Sequence, residues 1–325
     1  MKLFRFLTAT LLGPAILGLC SSGEEQESPH KPEQKIQVTV ERVNVGVIVT
    51  DNSGHFVEGL SREDFRVFDD GVEQPVSGFT AIEEPAQVLF LIEAGPAVYL
   101  LGKSHVRASG TLLNNLASND SVAIASYSKS PELLLNFTQD KPTAQFVLQN
   151  MNFSLGYADL NLSSSLVSAV DWLAASPGKK TLVVLSTGVD TSPPSLRQVV
   201  QEKLRTSEVR ILGVSLSSDF RKPPKGGKVS AQERENQAWL KEGFAQADQE
   251  LQELSIATGG RVYFPKNEEE FDRAYAEIAQ LVRHEYSIAF SPPSNDGQIH
   301  SIEVKVKRLL CRVDHRQAYI APGPK

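Results

Sequence analysis

The residues of this chain able to do covalent, acid–base or metal chemistry are scattered. Its histidines, at 30, 55, 105, 284, 300 and 315, show no metal-ligand spacing and read mostly as surface residues. Ser215 in Gly213-Val214-Ser215-Leu216-Ser217 sits mid-strand and lacks the closing glycine of a nucleophile elbow. No glycine-rich phosphate loop follows a strand. Cys311 lies in an alternating apolar run, where a thiol reads as a small buried hydrophobe. A hydrolase on an α/β sheet would need a nucleophile–base pair, and the sequence presents none.

Two polar residues stand out by position instead. Glu93 follows the apolar run Val88 to Ile92, and Ser186 follows Thr181 to Leu185. Such runs predict parallel strands covered on both faces. In an open α/β sheet the binding crevice lies beyond the C-terminal strand ends, where strand order reverses. Function is therefore expected at Glu93 and at Ser186-Thr187.

The elements that must position this crevice alternate. Strands are predicted at Val88–Ile92, Val122–Tyr127, Leu133–Phe137 (an edge), Thr181–Leu185, Arg210–Val214, Val262–Phe264 and Tyr286–Phe290. Helices are predicted over Tyr99–Leu116, Thr143–Met151, Leu160–Ala175, Leu196–Ser207 and Phe271–Val282. Another carries Trp239, Phe244, Leu251 and Leu254 and is stopped by Gly259-Gly260. This alternation predicts an α/β fold with a doubly wound, mostly parallel sheet over 86–291.

Both flanks read as β structure. Ile36, Val38 and Val40 alternate on even positions and Val43, Val45, Val47 and Val49 on odd ones, which requires a break at Glu41-Arg42. Asp51-Asn52-Ser53-Gly54 and Asp70-Gly71 are turn chemistry, and Ser61 to Asp64 is a capped turn. Near the other end Ile302, Val304 and Val306 oppose Glu303, Lys305 and Lys307. A strand with one polar face does not belong in a doubly covered sheet. Residues 36–84 and 298–322 are thus expected to build one small β domain from both chain ends.

Composition is that of a globular protein, 41% hydrophobic and 22% charged over 325 residues. A net charge of −6 gives no basic face and no reason to expect a nucleic-acid partner. The first residues are different: Lys2 and Arg5, a short apolar stretch from Phe6 to Leu19, then Cys20-Ser21-Ser22-Gly23. The stretch is shorter than the roughly 20 residues of a membrane span and reads as a secretory signal over 1–22. A polar linker over 23–35 follows. Leu17-Gly18-Leu19-Cys20 also resembles a bacterial lipobox, with Leu19 departing from the small residue of that pattern. The expectation is an exported protein of the periplasm, envelope or exterior, touching a membrane only through a lipid on Cys20 if that cysteine is modified.

Val88 to Val98, Gly156 to Leu160, Thr181 to Ser192, Thr258-Gly259-Gly260 and Tyr286 to Phe290 are laid out as in von Willebrand factor A domains. Val47 to Asp51, Gly59 to Gly71, Val304 to Arg308 and Ala318 to Pro322 resemble the flanks of the von Willebrand factor A-related proteins common in Acidobacteria. The likeness covers nearly all of the chain after the signal.

The resemblance implies a metal-ion-dependent adhesion site, built from Asp-x-Ser-x-Ser, a Thr from a second loop and an Asp from a third. Mg²⁺ asks for about six oxygens in octahedral geometry. Here the first motif reads Glu93-Ala94-Gly95-Pro96-Ala97, the second-loop Thr aligns with Ala158, and Ser186-Thr187-Gly188 stands for Thr-Asp-Gly. The implied site is degenerate. Glu93, Gly95, Ala97, Ala158 and Thr187 are then a crevice that contacts a protein partner without a metal or other cofactor. Alternatives are a metal kept through Glu93, Thr187, Asp159 and water, and a purely structural scaffold. Asp159 and Asp190 are expected to form turns.

Overall fold

A computed structural model of the chain describes residues 42–82, 85–100, 104–153, 159–222 and 230–324. The signal, Cys20, the linker, the strand before Arg42 with its change of phase, and Ala158 lie outside the described residues.

The chain opens with β1 (Val43–Thr50), β2 (Phe65–Asp69), β3 (Val72–Gln74) and β4 (Val76–Ile82). The α/β part follows: β5 (Ala86–Glu93), α1 (Pro96–Leu100), α2 (Ser104–Asn115), β6 (Ser121–Tyr127), β7 (Pro131–Thr138), α3 (Lys141–Gln149) and α4 (Leu162–Ala174). It continues with β8 (Lys179–Ser186), α5 (Pro194–Arg205), β9 (Arg210–Ser215), α6 (Ala231–Ala257), β10 (Arg261–Tyr263) and α7 (Glu268–Arg283). The chain closes with β11 (Glu285–Phe290), β12 (Ile299–Val306), β13 (Arg312–Asp314) and β14 (Ala318–Ile320).

Six strands form one sheet in the order β10-β9-β8-β5-β6-β7. All neighbours are parallel except the edge pair β6–β7. Its strands β5, β6, β8 and β9 are covered on both faces, as their continuous apolar runs require, while the edge strand β7 is only partly buried. Along β5, Val88, Phe90 and Ile92 enter one core with residues of α2, α3 and α7. Leu89 and Leu91 enter the other with residues of α4, α5 and α6. Strand order reverses between β5 and β8, which places the switch point at Glu93 and Ser186.

The remaining strands form two four-stranded sheets, β13-β1-β11-β4 and β14-β12-β2-β3. Both chain ends contribute to each: β12 pairs with β2, and β13 with β1. The two sheets share one core, containing Val43, Val45, Val47 and Val49 on one side and Phe65, Val67, Ile302 and Val304 on the other. One polar face per strand is what such packing leaves, and Glu303 and Lys305 are exposed accordingly.

The Asp70-Gly71 turn joins β2 to β3 with positive φ at both residues, 46° and 80°. A two-residue hairpin loop of this hand fits the twist of its strands. The turn matters below, because it aims Asp70 at β12.

One strand departs from expectation. Tyr286 to Phe290 was expected to end the parallel set, but β11 pairs antiparallel with β1 and β4. The segment expected over 86–291 therefore runs past the six-stranded sheet into a β layer. The physical reason lies in the alternation of this segment. Tyr286, Ile288 and Phe290 bury one face in the β core, whereas a strand of the parallel sheet buries both. His284 alone separates α7 from β11, so the helix end delivers the chain directly into that layer.

Two further segments differ in extent. The expected helix Tyr99–Leu116 is described as α1 and α2, and α6 is longer than its apolar residues indicated, at 27 residues. Ser230 caps it through a capping box with Glu233.

Candidate functional site

Glu93 ends β5 and is wholly buried. Its neighbour in register on β6 is Tyr127, and β8 delivers Ser186 and Thr187 from the other side. The amide of Thr187 donates to Glu93 Oε2 at 2.8 Å and the Thr187 hydroxyl donates to the same oxygen at 2.7 Å. Ser186 Oγ lies 3.1 Å and Tyr127 OH 3.4 Å from it. Tyr127 and Ser186 also share a 2.7 Å hydrogen bond, and the Gly188 amide donates to Ser186 Oγ at 2.8 Å. Burial pushes the Glu93 carboxyl above the usual carboxylate range, against the lowering effect of Thr187, Ser186 and Tyr127. Burial, and then the charge of Glu93, likewise raise Tyr127 well above the usual phenol value.

The loop after β8 is held from below and from the side. Gly188 has a φ of 79°, and a Cβ there would lie 2.7 Å from the Ala247 carbonyl of α6. Only glycine meets both demands. Asp190 accepts the Ser192 amide at 3.0 Å and the Ser163 amide at 3.2 Å, with the Ser163 hydroxyl also bound. The turn role is the one expected of Asp190, and its bonds to Ser163 at the start of α4 were not foreseen. Thr191 is strapped to Leu160 in both directions, its amide to the Leu160 carbonyl and its hydroxyl to the Leu160 amide. Asp159 is exposed beside this strap.

The donor set decides how this crevice suits an octahedral cation. Glu93 Oε2 accepts from the Thr187 amide and hydroxyl, with the hydroxyls of Ser186 and Tyr127 also against it, which leaves Oε1 as the carboxylate oxygen without a partner. That oxygen faces Gly95, where a Cβ would sit 3.3 Å from Oε1 and 3.0 Å from Leu160 Cδ2. Gly95 and Ala97 bring no side-chain oxygen, and apolar Leu160 crowds the space beside them. These residues do not fit hydrated Mg²⁺, which needs several hard oxygens around one point.

No protein-family model matches the sequence, and no curated protein matches it. Several solved structures are similar to the chain at low identity. The von Willebrand factor type A structure from Catenulispora acidiphila is 10% identical, with 79% of this chain and 76% of that chain covered at a TM-score of 0.45. An aerotolerance-related membrane protein from Bacteroides fragilis is 14% identical, with 61% and 98% covered at 0.42. The hypothetical protein BatB from Bacteroides thetaiotaomicron is 15% identical, with 60% and 98% covered at 0.41.

Beside the Gly188 loop runs a groove of about 300 Å³, lined by Gly188, Asp190, Arg197, Trp239, Leu240 and Phe244. Trp239 and Leu251 lie on the expected helix, and Leu251 is buried while Trp239 is 73% exposed. The first turns of α6 stand clear of the core, and the groove lies between them and the loop. Tyr127 was also not singled out from sequence. Its signal was present in its place as the last residue of β6, next to the strand that ends in Glu93.

Among the described residues, no serine or cysteine at this crest is hydrogen-bonded to a histidine. No helix among them is long and apolar enough to cross a membrane. The buried carboxyl network fixes the loop that shapes the groove.

Proposed function

We propose that this chain is an exported, non-enzymatic protein-binding module of the von Willebrand factor A type, and that it meets its partner without a metal bridge. The contact surface is the crest at the β5–β8 switch point. It comprises Ala97, Val189 and Asp190, which are partly exposed, with Gly95, Thr187 and Gly188 buried beneath them and Glu93 as the pin. The observation that carries the reading is the exposed Trp239, which lines the groove beside that loop. Aromatic side chains over a pocket are the commonest anchors of protein interfaces, and charged residues are depleted there.

The test is a photo-reactive residue at position 239 in the native host, compared with one at Val72 on the far β layer. One partner captured at position 239 alone, in the presence of chelator and lost with Thr187→Lys, supports the reading. Capture that chelator abolishes and Mg²⁺ restores would replace it with a metal-bridged mode.

A further inference from the structure

Away from the crest, three side chains from two distant parts of the chain converge at the rim of the β layers. Asp69 ends β2, Asp70 begins the hairpin turn, and His300 lies near the start of β12. His300 Nδ1 is 3.2 Å from Asp69 Oδ1 and 2.8 Å from Asp70 Oδ2. The three atoms all lie within 4.8 Å of one another. Asp69 is 2% exposed, yet its Oδ1 has no hydrogen-bond partner, and neither has His300 Nδ1. Neither carboxylate oxygen lies along the ring N–H direction, so a proton on Nδ1 would satisfy neither well.

Every other atom of these three groups is held. Asp69 Oδ2 accepts from Tyr319 OH at 2.7 Å. Asp70 Oδ1 accepts from the Ser301 amide at 2.9 Å and the Ser301 hydroxyl at 2.8 Å. His300 Nε2 lies 3.2 Å from both carboxylate oxygens of Asp296. A carboxylate behind one imidazole nitrogen fixes the tautomer that leaves the other nitrogen's lone pair free. Ser294 Oγ also lies 3.2 Å from Nε2, giving a serine–histidine–aspartate order. Ser294 donates its proton to Asp296 at 3.1 Å, so that order does not make a base of His300.

We propose that Asp69 Oδ1, Asp70 Oδ2 and His300 Nδ1 form a binding site for a divalent transition ion such as Zn²⁺. Ligands about 2.0–2.2 Å from one ion stand roughly 2.8–3.6 Å apart, the spacing His300 keeps from both carboxylates. Two carboxylates and one imidazole neutralise the ion without a fourth protein charge, and imidazole selects Zn²⁺ over Mg²⁺ or Ca²⁺. Among the described residues, no Lys or Arg forms an ion pair with Asp69, Asp70 or Asp296, and His300 is the basic side chain that all three face. Asp70 is half exposed, which opens the remaining positions to water. The ion clamps the β2–β3 turn to β12 and so ties together the two ends of the chain.

The test uses the tag-free full chain stripped with chelator and titrated with Zn²⁺. Binding is followed by calorimetry and by the ring resonances of His300. The expected result is saturation at one ion per chain with a shift of the His300 ring signals. Asp70→Asn keeps the Ser301 contacts and tolerates the left-handed turn, and it lowers affinity at least tenfold. Asp296→Asn lowers it about 10–100-fold through the orientation of the imidazole. Melting of each metal-free variant checks that the fold is intact. No saturable uptake, or uptake that Asp70→Asn and His300→Gln leave unchanged, overturns the proposal. So does a His300 ring that titrates with pH but ignores Zn²⁺, which would make the cluster a proton-held ion pair only.

Discussion

Thr187 donates twice to Glu93, through its amide at 2.8 Å and its hydroxyl at 2.7 Å, both to the same carboxylate oxygen. The pair spans the ends of two adjacent strands and locks the loop that follows. Thr187→Val removes the hydroxyl while keeping the shape. Its expected cost is about 1–3 kcal/mol, the usual effect of stripping a partner from a buried polar group. Urea unfolding of the variant against the parent measures it, and an unchanged midpoint would mean the hydroxyl bond contributes nothing.

Glu93 also sets a pH dependence. Burial raises its carboxyl above the usual value of 4.5. The folded state therefore holds the proton more tightly than the unfolded chain. Stability from this group is fully present below about pH 4.5 and declines as pH rises from there through the raised folded value. Groups such as Asp64 and Asp140 are shifted the other way by their hydrogen bonds, so the net curve mixes both signs. The difference between parent and Glu93→Gln isolates the Glu93 share. That difference is expected to shrink as pH rises above 4.5, in denaturant melts across pH 4 to 7.

Mg²⁺ is expected to leave the melting curve unchanged. An ion bound only to the folded state adds about 2.7 kcal/mol at a hundredfold excess over Kd. The measurement belongs in an Asp70→Asn background, so that any ion at the β rim does not intrude. A saturable rise in Tm with millimolar Mg²⁺ that disappears in Glu93→Ala would show a rebuilt adhesion site.

Glu285 is a second, partly buried anchor. It accepts from Arg210 Nη1 at 2.8 Å and lies 3.8 Å from Lys179 Nζ, while Arg210 also binds the Gly46 and Gly259 carbonyls. These contacts join β1 and β11 to the parallel sheet. Glu285→Ala leaves a buried guanidinium without its counter-ion, at an expected cost of about 3–5 kcal/mol. A double-mutant cycle with Arg210→Met should recover much of that loss, and strict additivity would argue against the pair.

Ending the chain after Pro293 removes β12 to β14. The strand β2 then keeps only β3 as a hydrogen-bonded neighbour, since β12 supplied its other edge. Amide exchange in Phe65–Asp69 is expected to accelerate far more than in Val88–Ile92. Equal acceleration in both segments would show the two parts unfolding as one cooperative unit.

Much of the architecture was legible in local pattern, because periodicity reports how many faces a strand buries. The continuous run Val88–Ile92 marked a doubly covered strand, and the alternation at Ile302–Val306 marked a half-covered one. The Asp70-Gly71 dipeptide marked the turn that closes the Phe65–Phe68 segment. Glu93 and Thr187 could be placed together because each ends or follows a strand whose position in a doubly wound sheet is constrained. The sequence did not determine which sheet receives Tyr286–Phe290. A five-residue apolar stretch suits either layer, and the packing of its buried face against β1 and β4 decided the matter. Nor could it join His300 to Asp69 and Asp70, or Tyr319 to Asp69, residues separated by as many as 250 positions. Spacing along the chain carries no information about such meetings. They arise only when β12 pairs with β2 in a register that faces Ile302 with Asp69, because hydrogen bonds and ligand geometry depend on distances in space.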